Sequence, residues 1–196
     1  VYIIRNGYGV TVEKKSQTSP SDTKKKTGTG NFITAYIDHG TSPQNASYEY
    51  LMLVRPSSKD EGRFAKKLPY TVIQADNQAH VVRDDITGIT AYISYGGYAS
   101  AETLVAGAEP ETIVMERTRD DGKVVMSVCT PDLGITEKGY TTTQQSQKIL
   151  KKVILKGTWS LSSPSENVDL IIEDGNTLIS AICLHGQPVE FTLNNN

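Results

Sequence analysis

At 196 residues, with hydrophobic side chains at 37% and charged ones at 21%, the chain can bury a core and has the make-up of an ordinary globular protein. Its longest apolar runs, such as residues 51–54, fall far short of the roughly 20 residues of a membrane-spanning helix, so no membrane partner is expected. The net charge of -2 and a basic run without interleaved aromatics also argue against a nucleic-acid partner.

Period-two alternation of apolar and polar residues dominates. It predicts strands over 2–5, 8–14, 31–38, 47–54, 70–75, 80–84, 89–95, 112–117, 123–129, 148–156, 168–172, 177–184 and 189–193. The first of these begins at once, with no initiator Met and no basic and apolar leader. The chain is therefore expected to open inside a folded unit, any signal peptide lying upstream.

Residues 1–30 carry six Lys/Arg against Glu13 and Asp22, a net of +4 that leaves -6 for the rest. The Ser-, Thr- and Gly-rich run 16–30 reads as a long loop. Lys24, Lys25 and Lys26 within it are the candidate substrate-binding residues, set against the plainer reading of a solvated loop.

Asp38-His39 invites a catalytic reading, since a carboxylate-oriented imidazole is a common base. Neighbours on an extended chain point to opposite faces, however, and Gly40 marks a turn, so His39 reads as a structural histidine. Tyr48 and Tyr50 fall on one face of their strand, and Tyr92, Tyr95 and Tyr98 gather near Gly96-Gly97. Such rings suit either a sugar platform or half-buried packing.

One helix is predicted, over about 58–67. Ser58 stands three residues before Glu61 at capping-box spacing, Phe64 and Leu68 follow four apart, and Pro69 ends the segment. It separates a sheet system over 1–68 from a second over 69–196. Asp121-Gly122 reads as a type I′ hairpin turn, and Asp174-Gly175-Asn176 and His185-Gly186 mark two more turns. Cys129 and Cys183 lie in apolar strands and read as buried free thiols, a single bridge between packed strands being the alternative. His80 and His185 stand apart from any Cys or carboxylate at ligand spacing, so no metal and no cofactor is expected. The pattern as a whole specifies an all-β protein of antiparallel β-sandwiches with one short helix.

The run Asn31-Phe-Ile-Thr-Ala-Tyr-Ile-Asp-His-Gly-Thr-Ser-Pro-Gln-Asn-Ala-Ser-Tyr-Glu-Tyr-Leu-Met-Leu-Val54 resembles a signature of polysaccharide lyase family eight, the chondroitin, hyaluronate and xanthan lyases. Gly30-Asn-Phe32, Val114-Met115, Val128-Cys-Thr-Pro-Asp-Leu133 and Gly157-Thr-Trp159 extend the likeness over essentially the whole chain. The resemblance implies a secreted or periplasmic bacterial enzyme that cleaves glycosaminoglycan chains by β-elimination to unsaturated uronates. Residues 1–68 would end its central sandwich and 69–196 would form a small C-terminal one, both following an upstream helical toroid. The family's Tyr and His, with their Arg and Glu or Asn helpers, lie upstream of Val1. No catalytic residue is therefore expected here, and the chain alone is expected to be inactive. The alternative from another class is a free-standing carbohydrate-binding or adhesin-like sandwich.

Overall fold

The computed structural model describes residues 1–5, 7, 9–20, 27–132 and 147–196. Among them the chain is all-β with a single helix, every ladder is antiparallel, and two compact units divide it: Val1–Leu68 and Pro69–Asn196.

The first unit holds β1 (Tyr2–Ile4), β2 (Val10–Pro20), β3 (Thr27–Ile37), β4 (Tyr50–Met52) and α1 (Ser58–Lys66). β1 pairs with β4, Ile3 opposite Leu51. β2 and β3 form a long hairpin, and here the sequence reading is corrected, because most of 16–30 is ladder rather than loop. Ser16 lies opposite Asn31 and Pro20 opposite Thr27. Gln17 Nε2 donates to Thr34 Oγ1 at 2.8 Å, and the Thr18 and Thr29 hydroxyls meet at 3.3 Å. Cross-strand hydroxyl pairs stabilise a ladder, so the residues that looked like loop composition serve as strand surface. Lys24, Lys25 and Lys26 lie outside the described residues.

The helix is capped one residue earlier than its sequence suggests. Ser57, not Ser58, is the N-cap: its Oγ accepts the Asp60 N–H at 3.1 Å, and the Asp60 carboxylate accepts the Ser57 N–H at 3.4 Å. Asp at the third position does the work assigned to Glu61. The helix ends at Lys66, since Lys67 is already extended two residues before Pro69, whose ring disfavours helical backbone at the residue preceding it.

The second unit is a closed sandwich. It contains β5 (Tyr70–Ala75), β6 (Ala79–Asp84), β7 (Thr90–Ser94), β8 (Tyr98–Ala99), β9 (Val105–Ala108), β10 (Thr112–Thr118), β11 (Val124–Cys129), β12 (Ile149–Lys156), β13 (Trp159–Leu161), β14 (Val168–Glu173), β15 (Asn176–Cys183) and β16 (Val189–Asn195). Seven strands pair in the order β13-β16-β11-β10-β7-β6-β5, and five in the order β14-β15-β12-β9-β8. Inward residues of the first sheet (Val81, Tyr92, Val114, Met126, Leu193) and of the second (Val105, Val153, Leu155, Ile179) are fully buried in one core.

Three strands escape the sequence pattern: β8, β9 and β13. Two of them have only two or three residues. β9 (Val-Ala-Gly-Ala) has no alternation to read, because its Gly107 lies beneath Ile154, whose Cδ1 would come within 3.3 Å of a Cβ there. The turns divide likewise. Asp174 (φ 50) with Gly175 (φ 74), and His185 (φ 57) with Gly186 (φ 66), have the two positive φ angles of a type I′ turn. Asp121-Gly122 does not. Gly122 N–H donates to Arg119 O and Arg119 N–H to Lys123 O, with positive φ at Gly122 but not at Asp121. That is a three-residue loop with a glycine bulge, the next most common hairpin.

The chain crosses between the sheets at Gly157-Thr158-Trp159. Gly157 has φ 84, Trp159 Nε1 donates to Lys156 O, and Thr177 Oγ1 accepts the Trp159 N–H while donating to Gly157 O.

Removing the cap tests its placement. Ser57→Ala should lower the stability of the first unit by about 1 kcal/mol, whereas Ser58→Ala should leave it within about 0.5 kcal/mol. Urea unfolding followed by circular dichroism compares the two.

Candidate functional site

The first unit contains a cavity of about 540 Å³ whose lining includes Tyr2, Tyr36, His39, Tyr48 and Tyr50. Antiparallel pairing of β1 with β4 sets Tyr2 near Tyr50, with ring centroids 5.7 Å apart and planes tilted by 56°. Tyr48 and Tyr50 are stacked, 6.2 Å apart and 9° from parallel, as their spacing of two residues suggested. His39 continues the row, its ring centroid 6.4 Å from that of Tyr48. Tyr2 and Tyr48 are 65% and 64% exposed. Tyr2 could not be added to the pair from sequence alone, because a strand pairing nearly 50 residues away brings it there.

The Asp38-His39 pair is not a dyad. Asp38 Oδ1 accepts the Gly40 N–H at 2.8 Å, closing a local turn around Gly40, which has φ 74. The carboxylate serves the backbone, and the imidazole joins the aromatic row. Beyond the row, Arg5 Nη1 meets Glu49 Oε2 at 2.8 Å. What this surface offers is ring faces and aliphatic edges, suited to the C–H face of a sugar or to apolar packing.

The three tyrosines near Gly96-Gly97 do not form a second platform. Tyr92 and Tyr98 turn into the core of the second unit, rings 5.3 Å apart, while Tyr95 lies outside with its ring 5.3 Å from His80 and nearly perpendicular to it. His185 occupies a turn position. Both cysteines are free. Cys183 is buried and directs its Sγ to Val128 O at 3.8 Å, whereas Cys129 follows Val128 on the outward, half-buried face of its strand. Burial pushes both thiols up, so neither is a ready thiolate nucleophile. Among the described residues no group of three or more His, Cys, Asp or Glu could hold a metal ion.

Glu116 is the one buried acid among the described residues of the sandwich. Tyr92 Oη donates to its Oε1 at 3.3 Å. Burial pushes the Glu116 carboxyl up, against the opposing effect of hydrogen bonds from Thr90 and Tyr92, and it pushes the Tyr92 phenol up as well.

The chain has relatives along its whole length. It is 27% identical over 197 residues to a chondroitin sulfate ABC endolyase of Proteus vulgaris, covering 98% of this chain and 19% of that protein. A chondroitin sulfate ABC exolyase of Bacteroides thetaiotaomicron is 34% identical over 119 residues, 58% of this chain and 11% of the relative. In fold, all of this chain superposes on a quarter of a Streptomyces coelicolor A3 chondroitin AC lyase solved in complex with chondroitin sulphate, at TM-score 0.70 and 16% identity. It also superposes on 18% of a Paenibacillus xanthan lyase, at TM-score 0.71 and 17% identity. No family model matches. The chain thus spans about a fifth of the length of that endolyase, and its resemblance to the polysaccharide lyases extends over all of it.

Two substitutions probe these sites. Gly40→Val should destabilise the first unit by about 1–2 kcal/mol, the cost of left-handed backbone for a residue with a Cβ, since no neighbour lies within 4 Å of that Cβ; thermal unfolding measures it. Glu116 has a folded pKa raised above its unfolded value near 4.3. Its stabilising contribution is therefore full below that pH and is lost as pH rises through the folded value. The parent's Tm should fall over that rise, and Glu116→Gln should remove this part of the pH dependence.

Proposed function

We infer, from homology to the polysaccharide lyases along the whole chain, that these two units are the non-catalytic β-sandwich portion of a glycosaminoglycan lyase. In that reaction a base takes the C5 proton of a uronate. The C5–H electron pair becomes the C4=C5 double bond, the bond from C4 to the glycosidic oxygen breaks, and an acid protonates the departing oxygen. The uronate C5 proton is weakly acidic, so base, acid and neutralisation of the carboxylate must act together. The observation that carries the proposal is homology along the whole chain to a lyase about five times its length, with the Asp38 carboxylate beside the ring row taken up by the Gly40 N–H. Catalysis then belongs to an upstream helical toroid, with the sandwiches supporting the cleft of a secreted or periplasmic enzyme.

The exposed apolar faces of the first unit favour this reading over a free-standing sugar-binding module. No described residue of that unit is fully buried, and Val12, Ile33 and Val54 are 66%, 73% and 79% exposed. Faces of this kind mark packing surfaces. The tyrosine row lies among them and is read as one such surface.

The 196-residue chain and the complete enzyme should both be incubated with chondroitin sulfate and with hyaluronan, following absorbance of the unsaturated product. The complete enzyme should form product and the chain alone should not. Steady turnover by the purified chain would place catalysis within it and sink the proposal.

A further inference from the structure

The first unit is the basic one: residues 1–68 hold eleven Lys/Arg against six Asp/Glu, a net of +5, which leaves -7 for the rest of a chain whose total is -2. Lys59, Arg63 and Lys66, all exposed, belong to α1. At 3.6 residues per turn they fall within a sector about 60° wide. Exposed Lys67 follows directly, so the four cations run for about 12 Å along the axis. Glu61 lies on the far side of the helix from this sector, whereas Asp60, engaged in the cap with Ser57, borders it and is held low in part by the Arg63 and Lys59 charges.

Among the described residues none of the four cations has a salt bridge, and Arg63 Cζ sits 4.5 Å from the centroid of the Phe64 ring. A stacked guanidinium keeps its N–H edge free for a planar carboxylate or a sulfate. Helix stability accounts for only part of this arrangement. Arg63 and Lys66 lie in the last turn, where cations complement the helix dipole, whereas Lys59 lies in the first turn, where they oppose it.

We propose that the Lys59, Arg63, Lys66 and Lys67 face of α1 is a docking surface for an anionic polysaccharide bearing carboxylate and sulfate groups. The choice of a polysaccharide rests on the lyase reading above; the surface itself rests on charge complementarity. Such a contact is electrostatic, shapes association more than chemistry, and weakens as salt screens it.

The test uses the complete protein and a quadruple variant, K59Q/R63Q/K66Q/K67Q, with equal thermal stability as the check on folding. Binding of a labelled chondroitin 4-sulfate oligosaccharide is measured at low and at high salt. The variant should bind about tenfold more weakly at low salt, as for several modest exposed charge pairs, and with a flatter salt dependence. A control variant, K123Q/K148Q/K152Q, should match the parent. Parent-like affinity and salt slope in the quadruple variant would overturn the proposal. So would equal, helix-dependent binding of polyglutamate or of neutral dextran. Product absorbance separates the two readings: turnover with unchanged variant affinity defeats the helix surface alone, whereas helix-dependent binding without turnover defeats the lyase reading alone.

Discussion

Everything in the second unit depends on one layer of side chains held between two sheets. Because a strand turns alternate residues to opposite faces, β10, β11, β12 and β15 each send every second residue into that layer, and those residues are buried except at two strand ends, Thr118 of β10 and Ile149 of β12. Polar groups that enter it are bonded there. Thr177 serves the backbone at the sheet crossover, and Lys151 Nζ donates to Pro110 O at 3.0 Å. A one-residue slip would put Arg117 of β10 or Lys152 of β12 into the layer, and Ser127 of β11 or Ser180 of β15, so the register is strongly fixed. The described residues of the first unit form no such layer. Its hairpin places Val10, Val12, Ile33, Ala35 and Ile37 on one face by register, yet none of them is fully buried.

This contrast explains which parts of the fold were legible in the sequence. Strands with a buried face and an exposed one announce themselves, and 112–118 with 124–129 were readable almost to the residue. The hairpin at 10–37 was half legible, because Ser, Thr and Gly suit a loop as well as a polar strand surface, and only pairing decides between them. β9 was hidden because close approach of Ile154 to Gly107 replaces alternation there. At the helix start, two serines in succession offered two capping registers, and Asp60 decided for the earlier one.

The candidate site was legible in the same uneven way. The Tyr48 and Tyr50 rings follow from spacing within one segment, but Tyr2 joins them through a distant ladder. The Asp38-Gly40 turn was legible because a short carboxylate followed two residues later by glycine closes on its own backbone. The basic sector of α1 went unread as a candidate for a different reason: Lys59, Arg63 and Lys66 gather only once the helical frame is imposed.

The crossover at Gly157-Thr158-Trp159 also determines how the molecule can be watched. Trp159 is the chain's one tryptophan, it is 8% exposed, and its indole N–H is fixed to Lys156 O. Its emission therefore reports on whether the two sheets of the second unit remain closed upon each other, and on little else. A spectroscopic melt read at the indole would record the sandwich alone. The ten tyrosines include Tyr2, Tyr36, Tyr48 and Tyr50 of the first unit, so the tyrosine signal must be followed separately to see that unit come apart.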